Sequence, residues 1–280
     1  MKNILLPTDF SDNSWNAIQY AIELFKDQKC NFFLLNTYTP TLYNFEFMKL
    51  NKGKVGLIET MNETSKNNIQ EVKDKIENQF KNPNHTFSKI SSFNTLISEI
   101  EELQEDYVID FIVMGAKGAT ASKEVLFGSN AVHVIKNAKC PVLAVPSGFT
   151  FESPQEILFP SDYEVSFSEK RVQQILDIAN RYHSRINILN APYGCGLSKN
   201  QENNNQKLEN LFKNITHLFH SLNGKNVTEA IANFQLGVRV NLLVMIKNKH
   251  SFFENLFFKS NINQVGFHIN IPFLVIPYKL

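Results

Sequence analysis

Residues 113–135 read VMGAKGATASKEVLFGSNAVHVI, and the rest of the chain is organised around them. It opens as a buried strand, breaks at Gly115, carries a second glycine at Gly118, and reaches Gly128-Ser129 before a helical run. The pattern is G-x2-G-x9-G-S. Glycines let the backbone approach a ligand closely and adopt positive φ without penalty. Gly128 and Ser129 fall at a helix N-terminus, where free N–H groups and the helix dipole favour an anion. Ser129 adds a hydroxyl donor. The chemistry this suits is phosphate binding; the alternative is a strand-to-helix turn that needs special backbone angles. No Gly-Lys-Ser/Thr closes the loop, so it is not a Walker loop. The dinucleotide fingerprint is excluded by its spacing and because the loop comes late in its domain, not after the first strand.

Upstream of the loop the chain alternates apolar runs with amphipathic ones. Residues 2–8 (KNILLPT) form a short apolar run that reads as a buried parallel strand. Ser11 or Asp12 can cap the helix that follows over 13–27, where Trp15, Ile18, Ala21, Ile22 and Phe25 recur at helical spacing. Residues 31–38 make a second strand. Residues 39–53 are a long aromatic-rich connection. Residues 54–81 carry a thin apolar stripe (Leu57, Met61, Ile69, Val72, Ile76, Phe80) and read as a helix stopped by Pro83. A third strand over 85–90, a helix over 94–105 and a fourth strand over 110–114 lead into the glycine loop. A helix over 130–138 and a strand over 141–146 follow it. Strands separated by helices imply crossover connections and a parallel sheet covered on both faces. Ligands of such sheets bind at the carboxyl ends of the strands, where the winding reverses. Asp9 and Gly115 would meet there.

The chain then restarts. Residues 157–163 (ILFPSDY) echo residues 4–10 (ILLPTDF), and 271–277 (IPFLVIP) echo 140–146 (CPVLAVP). Internal duplication is the main organisational fact. The boundaries read as a first domain over 1–147, a Gly/Ser/Pro-containing linker over 148–155, and a second domain over 156–280. In the second half, a helix around Val172, Ile175, Leu176, Ile178 and Ala179 is expected. A strand over 186–190, a helix over 201–222 and strands over 227–232 and 241–246 follow. That leaves the third helix nearly absent. The counterpart of the glycine loop is VMIKNKHSFFENLFFKSN (244–261), with Ile246, Lys249 and Lys259 in place of glycines. The second domain therefore reads as a degenerate, structural copy.

Composition sets outer bounds. With 28 basic and 27 acidic residues the net charge is +1, which gives no pull towards nucleic acid or an anionic membrane. Cys30, Cys140 and Cys195 are far apart, without metal-ligand spacing, so neither a disulfide framework nor a zinc site is indicated. No run approaches the ~20 apolar residues of a membrane span. The expected setting is cytoplasmic, with no membrane and no nucleic-acid partner.

The opening ILLPTDFSD, the loop VMGAKG followed by GS, and the closing CPVLAVP together resemble the universal stress protein family of the UspA type. The whole chain resembles a tandem of two such domains, the second half matching only through ILFPSDY, the element order and IPFLVIP. The resemblance implies an α/β fold of two tandem Rossmann-like (adenine nucleotide alpha hydrolase-like) domains, each a mostly five-stranded parallel sheet flanked by helices. It implies that the first domain binds ATP or a related nucleotide (ADP, AMP), with Mg2+ as a companion ion. Pro7 and Thr8 would belong to the nucleotide site, and Asp9 would be the acidic residue near the nucleoside. The backbone around Thr37 would read the adenine edge, and Met114 and Gly115 would lie under the ribose. Gly118, Gly128, Ser129 and Asn130 would hold the phosphates. Lys117 and Lys123 would either neutralise phosphate charge or be solvated loop lysines. Family members pair through their last strands, so 142–145 and 273–276 would lie side by side within this one chain, making it its own dimer.

Each feature has a plainer reading beside it. Asp9 can serve the helix start instead of a ligand, and Asp162 repeats it without the loop. His217 and His220, three apart on the expected helix, lack the further ligands of a metal site. His133 reads as filler. Phe252, Phe253, Phe257 and Phe258 form either a protein-partner patch or domain packing. No nucleophilic triad is evident. Three functions follow: a nucleotide-binding stress sensor or adaptor, a slow ATPase or phosphotransferase with Ser129 as acceptor, or a nucleotide-independent scaffold whose pocket is closed by residues 43–47.

Overall fold

The computed structural model describes residues 1–39, 54–117, 127–191, 196–222, 227–248 and 270–278. They divide into two compact units, Met1–Phe151 and Glu152–Leu280. Gly118, Lys123, Cys195, residues 43–47 and residues 249–261, to which several expectations attach, lie outside the described residues. Among the described residues no helix is long and apolar enough to cross a membrane.

In the first unit the strands are β1 (Lys2–Pro7), β2 (Cys30–Thr37), β3 (His85–Ser92), β4 (Phe111–Gly115) and β5 (Val142–Val145). They lie in the order β3-β2-β1-β4-β5, and every pairing is parallel. Ile4, Leu5 and Leu6 have no exposed surface. Burial on both faces is why β1 reads as a continuous apolar run and not as an alternation. Four described helices accompany the sheet: α1 (Asp12–Leu24), α2 (Lys54–Gln79), α3 (Leu96–Asp106) and α4 (Ser129–Asn137). Ser11 is the N-cap of α1 and accepts the Ser14 N–H, and Ala17, Ile18, Ala21 and Ile22 form its buried face. Trp15, expected on that face, is half-buried, with Lys75 Nζ 3.8 Å from the centre of its ring. The thin stripe of α2 buries Ser65, Ile69 and Ile76. The chain winds from β1 outward to β3, then crosses to β4 and β5 on the other side. The reversal therefore falls between β1 and β4, and a crevice opens at their carboxyl ends.

The second unit holds β6 (Glu156–Pro160), β7 (Arg185–Asn190), β8 (His217–Ser221), β9 (Leu242–Lys247) and β10 (Phe273–Pro277). Their order is β10-β9-β6-β7-β8, again all parallel. The described helices are α5 (Glu169–Tyr182), α6 (Lys199–Phe212) and α7 (Val227–Gly237). Here the structure departs from the expected elements. The helix expected over 201–222 ends at Phe212, and His217–Ser221 is a strand. The strand expected over 227–232 is the start of α7. Val227, Ala230 and Ile231 are buried at helical spacing while Glu229 is exposed; a strand would have put Glu229 on the same face as Val227 and Ile231. The third helix of this unit is thus present.

Both units build the same turn after their first strand. Phe10 and Tyr163 take left-handed φ values of 64° and 56°. The Phe10 N–H donates to Thr8 Oγ1 (3.0 Å), and the Tyr163 N–H to Ser161 Oγ (3.1 Å). Asp9 Oδ1 accepts the Ser11 N–H and Asp162 Oδ1 the Glu164 N–H, each at 3.1 Å. The units then diverge. Ser11 caps α1 directly after the turn, whereas α5 waits until its N-cap, Ser168. The longer loop buries Tyr163, Val165 and Phe167. The register places a buried Ile246 where the first unit has Gly115.

Candidate functional site

Pro7, Thr8, Asp9, Thr37, Met114, Gly115, Lys117 and Asn130 line one cavity at the carboxyl ends of β1, β2 and β4. Of the other expected residues, Gly128 and Ser129 stand at the start of α4 without lining the cavity. Gly118 is outside the described residues. Sequence reasoning missed Ser14, Leu35, Asn36, Leu96 and Ala131, which also line it. The available signal was Asn36, a buried amide closing the apolar run FFLLN.

Thr8 anchors the floor. Its N–H donates to the Leu35 carbonyl (2.8 Å), its Oγ1 is 3.0 Å from Ser14 Oγ, and its carbonyl accepts Asn36 Nδ2 (2.8 Å). Ser14 Oγ in turn donates to the Ser11 carbonyl (2.8 Å). Asp9 is exposed at the rim, and its Oδ1 accepts both the N–H and the hydroxyl of Ser11, the latter at 2.5 Å. The carboxylate therefore holds the N-cap residue in place; it does not cap α1 itself.

Gly115 sits where space is tight. A Cβ there would stand 3.1 Å from the Asn13 carbonyl oxygen and 3.2 Å from that of Lys117. Gly128 has an ordinary extended conformation (φ −65°, ψ 157°), so no backbone strain demands a glycine. Its N–H donates to the Ala116 carbonyl (2.8 Å), which fixes α4 against the end of β4. Among the described residues no side-chain cap bond forms at the start of α4, whose N-cap, Gly128, has no side chain to offer.

His217 and His220 lie on a strand and not on a helix. His217 Nδ1 is 2.8 Å from the Ile215 carbonyl and His220 Nε2 is 3.0 Å from Asn187 Oδ1. Three residues apart on a strand, they point to opposite faces. His133 is on the exposed side of α4. Among the described residues no three His, Cys, Asp or Glu side chains are grouped to hold a metal ion.

The first unit is thus a doubly wound parallel α/β domain with a cavity at its topological switch point, the place where such folds take small ligands. The profile of the Universal stress protein family matches residues 1–146, and the chain belongs to that family. It is 33% identical over 153 residues to Universal stress protein MJ0577 of Methanocaldococcus jannaschii, covering 51% of this chain and 94% of that protein. It is 32% identical over 144 residues to Universal stress protein MJ0531 of the same organism, covering 51% of this chain and 81% of that one. The crystal structure of a universal stress protein from Archaeoglobus fulgidus superposes with a TM-score of 0.62 over 99% of this chain and 98% of that chain, at 16% identity. That likeness is one of fold.

Proposed function

We propose that the first unit binds one adenine nucleotide (ATP, ADP or AMP) in this cavity, and that the protein is a nucleotide-responsive stress sensor or adaptor of the cytoplasm. The observation that carries this is convergence. Eight of the residues that the family resemblance assigns to a nucleotide, spread from Pro7 to Asn130, line one cavity. Asp9 and the Thr37 backbone would take the nucleoside. Gly115 leaves room beside Met114, and Lys117, Ser129 and Asn130 would face the phosphates at the uncapped start of α4. Mg2+ enters as the counter-ion of the triphosphate. The second unit acts as a degenerate copy that binds no nucleotide. Its support is Ile246 in place of Gly115 and the inward packing of Tyr163, Val165 and Phe167.

The test is isothermal titration of nucleotide-stripped protein with Mg-ATP, beside Gly128→Glu, which puts a negative side chain at the start of α4. One site per chain, lost in the variant while the fold is retained, is the expected result. No heat from wild-type protein overturns nucleotide binding, and two sites overturn the degenerate second unit.

A further inference from the structure

The ladder between β1 and β2 stops at a defined rung. The Thr8 N–H donates to the Leu35 carbonyl at 2.8 Å. In a regular parallel ladder the next rung would run from the Thr37 N–H to the Thr8 carbonyl. Among the hydrogen bonds of the described residues that rung is absent, and the Thr8 carbonyl accepts Asn36 Nδ2 at 2.8 Å. The Tyr38 N–H bonds to the Ser92 carbonyl on β3. Its neighbour Thr37 therefore directs both its N–H and its C=O to the opposite side, where β1 has ended and the cavity begins.

Asn36 is held for this task from behind. It is buried, and its Oδ1 accepts Ser65 Oγ of α2 at 2.8 Å. Ser91 Oγ of β3 donates to Ser65 Oγ, also at 2.8 Å. With a donor on its oxygen, the amide can present only its NH2 group to Thr8.

We propose that Asn36 is a positioning residue that keeps the Thr37 N–H and C=O open for the edge of a nucleobase and thereby sets the preference for adenine. This rests on the nucleotide-binding reading above. Adenine offers an acceptor at N1 and a donor at N6, which match one backbone N–H and one C=O. Hypoxanthine offers N1–H and O6, the reverse pattern, so both contacts are mismatched. Without the Asn36 amide, the Thr8 carbonyl is free to take the Thr37 N–H, the ladder zips one rung further, and the base loses its partner.

The second unit supplies a control. Asn190 Nδ2 donates to the Ser161 carbonyl at 2.7 Å, below a last rung from the Ser161 N–H to Leu189 at 2.9 Å. Asn190→Ala removes the same bond from the same fold, away from the proposed site.

The experiment titrates full-length wild type, Asn36→Ala, Ser65→Ala and Asn190→Ala with ATP and with ITP, and records thermal midpoints. Wild type is expected to prefer ATP by about tenfold or more. Asn36→Ala should weaken ATP about tenfold and bring the ATP/ITP ratio near unity. Ser65→Ala should lower the ratio in part. Asn190→Ala should keep it while shifting the thermal midpoint as Asn36→Ala does. An unchanged ratio in Asn36→Ala, or an equal loss for both nucleotides, overturns the proposal. If Asn36→Ala does not fold, an unchanged ratio in Ser65→Ala overturns it. Wild type binding both nucleotides equally overturns this proposal alone. Wild type binding neither overturns the nucleotide reading and this proposal with it.

Discussion

Gly115 passes Asn13 so closely that a Cβ on the glycine would lie 3.1 Å from the Asn13 carbonyl oxygen. The first turn of α1 and the carboxyl end of β4 are thus in backbone contact beside the cavity. The second unit, whose α5 starts later, carries Ile246 at the matching register. Gly115→Ala should cost about 1 kcal/mol and Gly115→Val about 3 kcal/mol, because the two backbones must separate. Nucleotide affinity should fall in the same order, since Thr8, Asp9 and Met114 move with them. Urea unfolding and titration calorimetry measure both. Wild-type stability in Gly115→Val would show that α1 and β4 separate without cost.

Ser11 serves two masters at the rim of the cavity. Its Oγ accepts the Ser14 N–H at 3.3 Å and donates to Asp9 Oδ1 at 2.5 Å. Ser11→Ala should lose about 1 kcal/mol of stability through the missing cap. Ser11→Asp keeps a capping acceptor but sets a second carboxylate against Asp9. It should therefore recover the cap at the expense of like-charge repulsion, and should weaken nucleotide binding more than Ser11→Ala. Equal affinities in the two variants would count against Asp9 facing the ligand.

His85 makes stability depend on pH. It is buried, its Nε2 is 3.1 Å from the Phe25 carbonyl, its ring meets Phe32 edge-on, and its Nδ1 is buried without a partner. Burial holds its pKa below the ordinary 6.5, opposed in part by the bond to Phe25. His220 is lowered too, by burial and then by the Arg185 charge. A depressed histidine contributes stability that is fully present above the unfolded value. That contribution is lost as pH falls from 6.5 towards the folded value, because there the unfolded chain binds more protons. The urea midpoint should therefore drop between about pH 7.5 and about pH 5.5. His85→Gln keeps a donor for Phe25 without a titrating ring and should flatten the slope. Identical slopes would assign the pH dependence elsewhere.

The parallel sheet of the first unit was legible because its central strands are buried on both faces and its helices on one. Residues 4–7 read as an uninterrupted apolar run, and Asp12–Leu24 as a stripe. The second unit was harder where those signals weaken. His217–Ser221 is a half-exposed edge strand with polar ends, so it did not stand out from the polar helix before it. Val227–Gly237 opens with two β-branched residues yet is a helix, because packing of Val227, Ala230 and Ile231 outweighs local propensity. Asn36 was passed over for a related reason: its partners Thr8 and Ser65 are remote in sequence, and a hydrogen bond across strands leaves no periodic trace.

The alternation of strand and helix in the first unit, the echo of residues 4–10 in residues 157–163, and the family of the first 146 residues can be read along the chain. These are local or periodic properties, set by burial pattern, glycine placement and helix caps. That Thr8, Thr37, Gly115 and Asn130 share one cavity follows from the folded chain alone. So do the close fit at Gly115, which is a matter of room and not of backbone angle, and the bracing of Ser11 by Asp9. Those facts depend on the distance between segments far apart in the chain, which the order of strands around β1 sets and no window of residues contains.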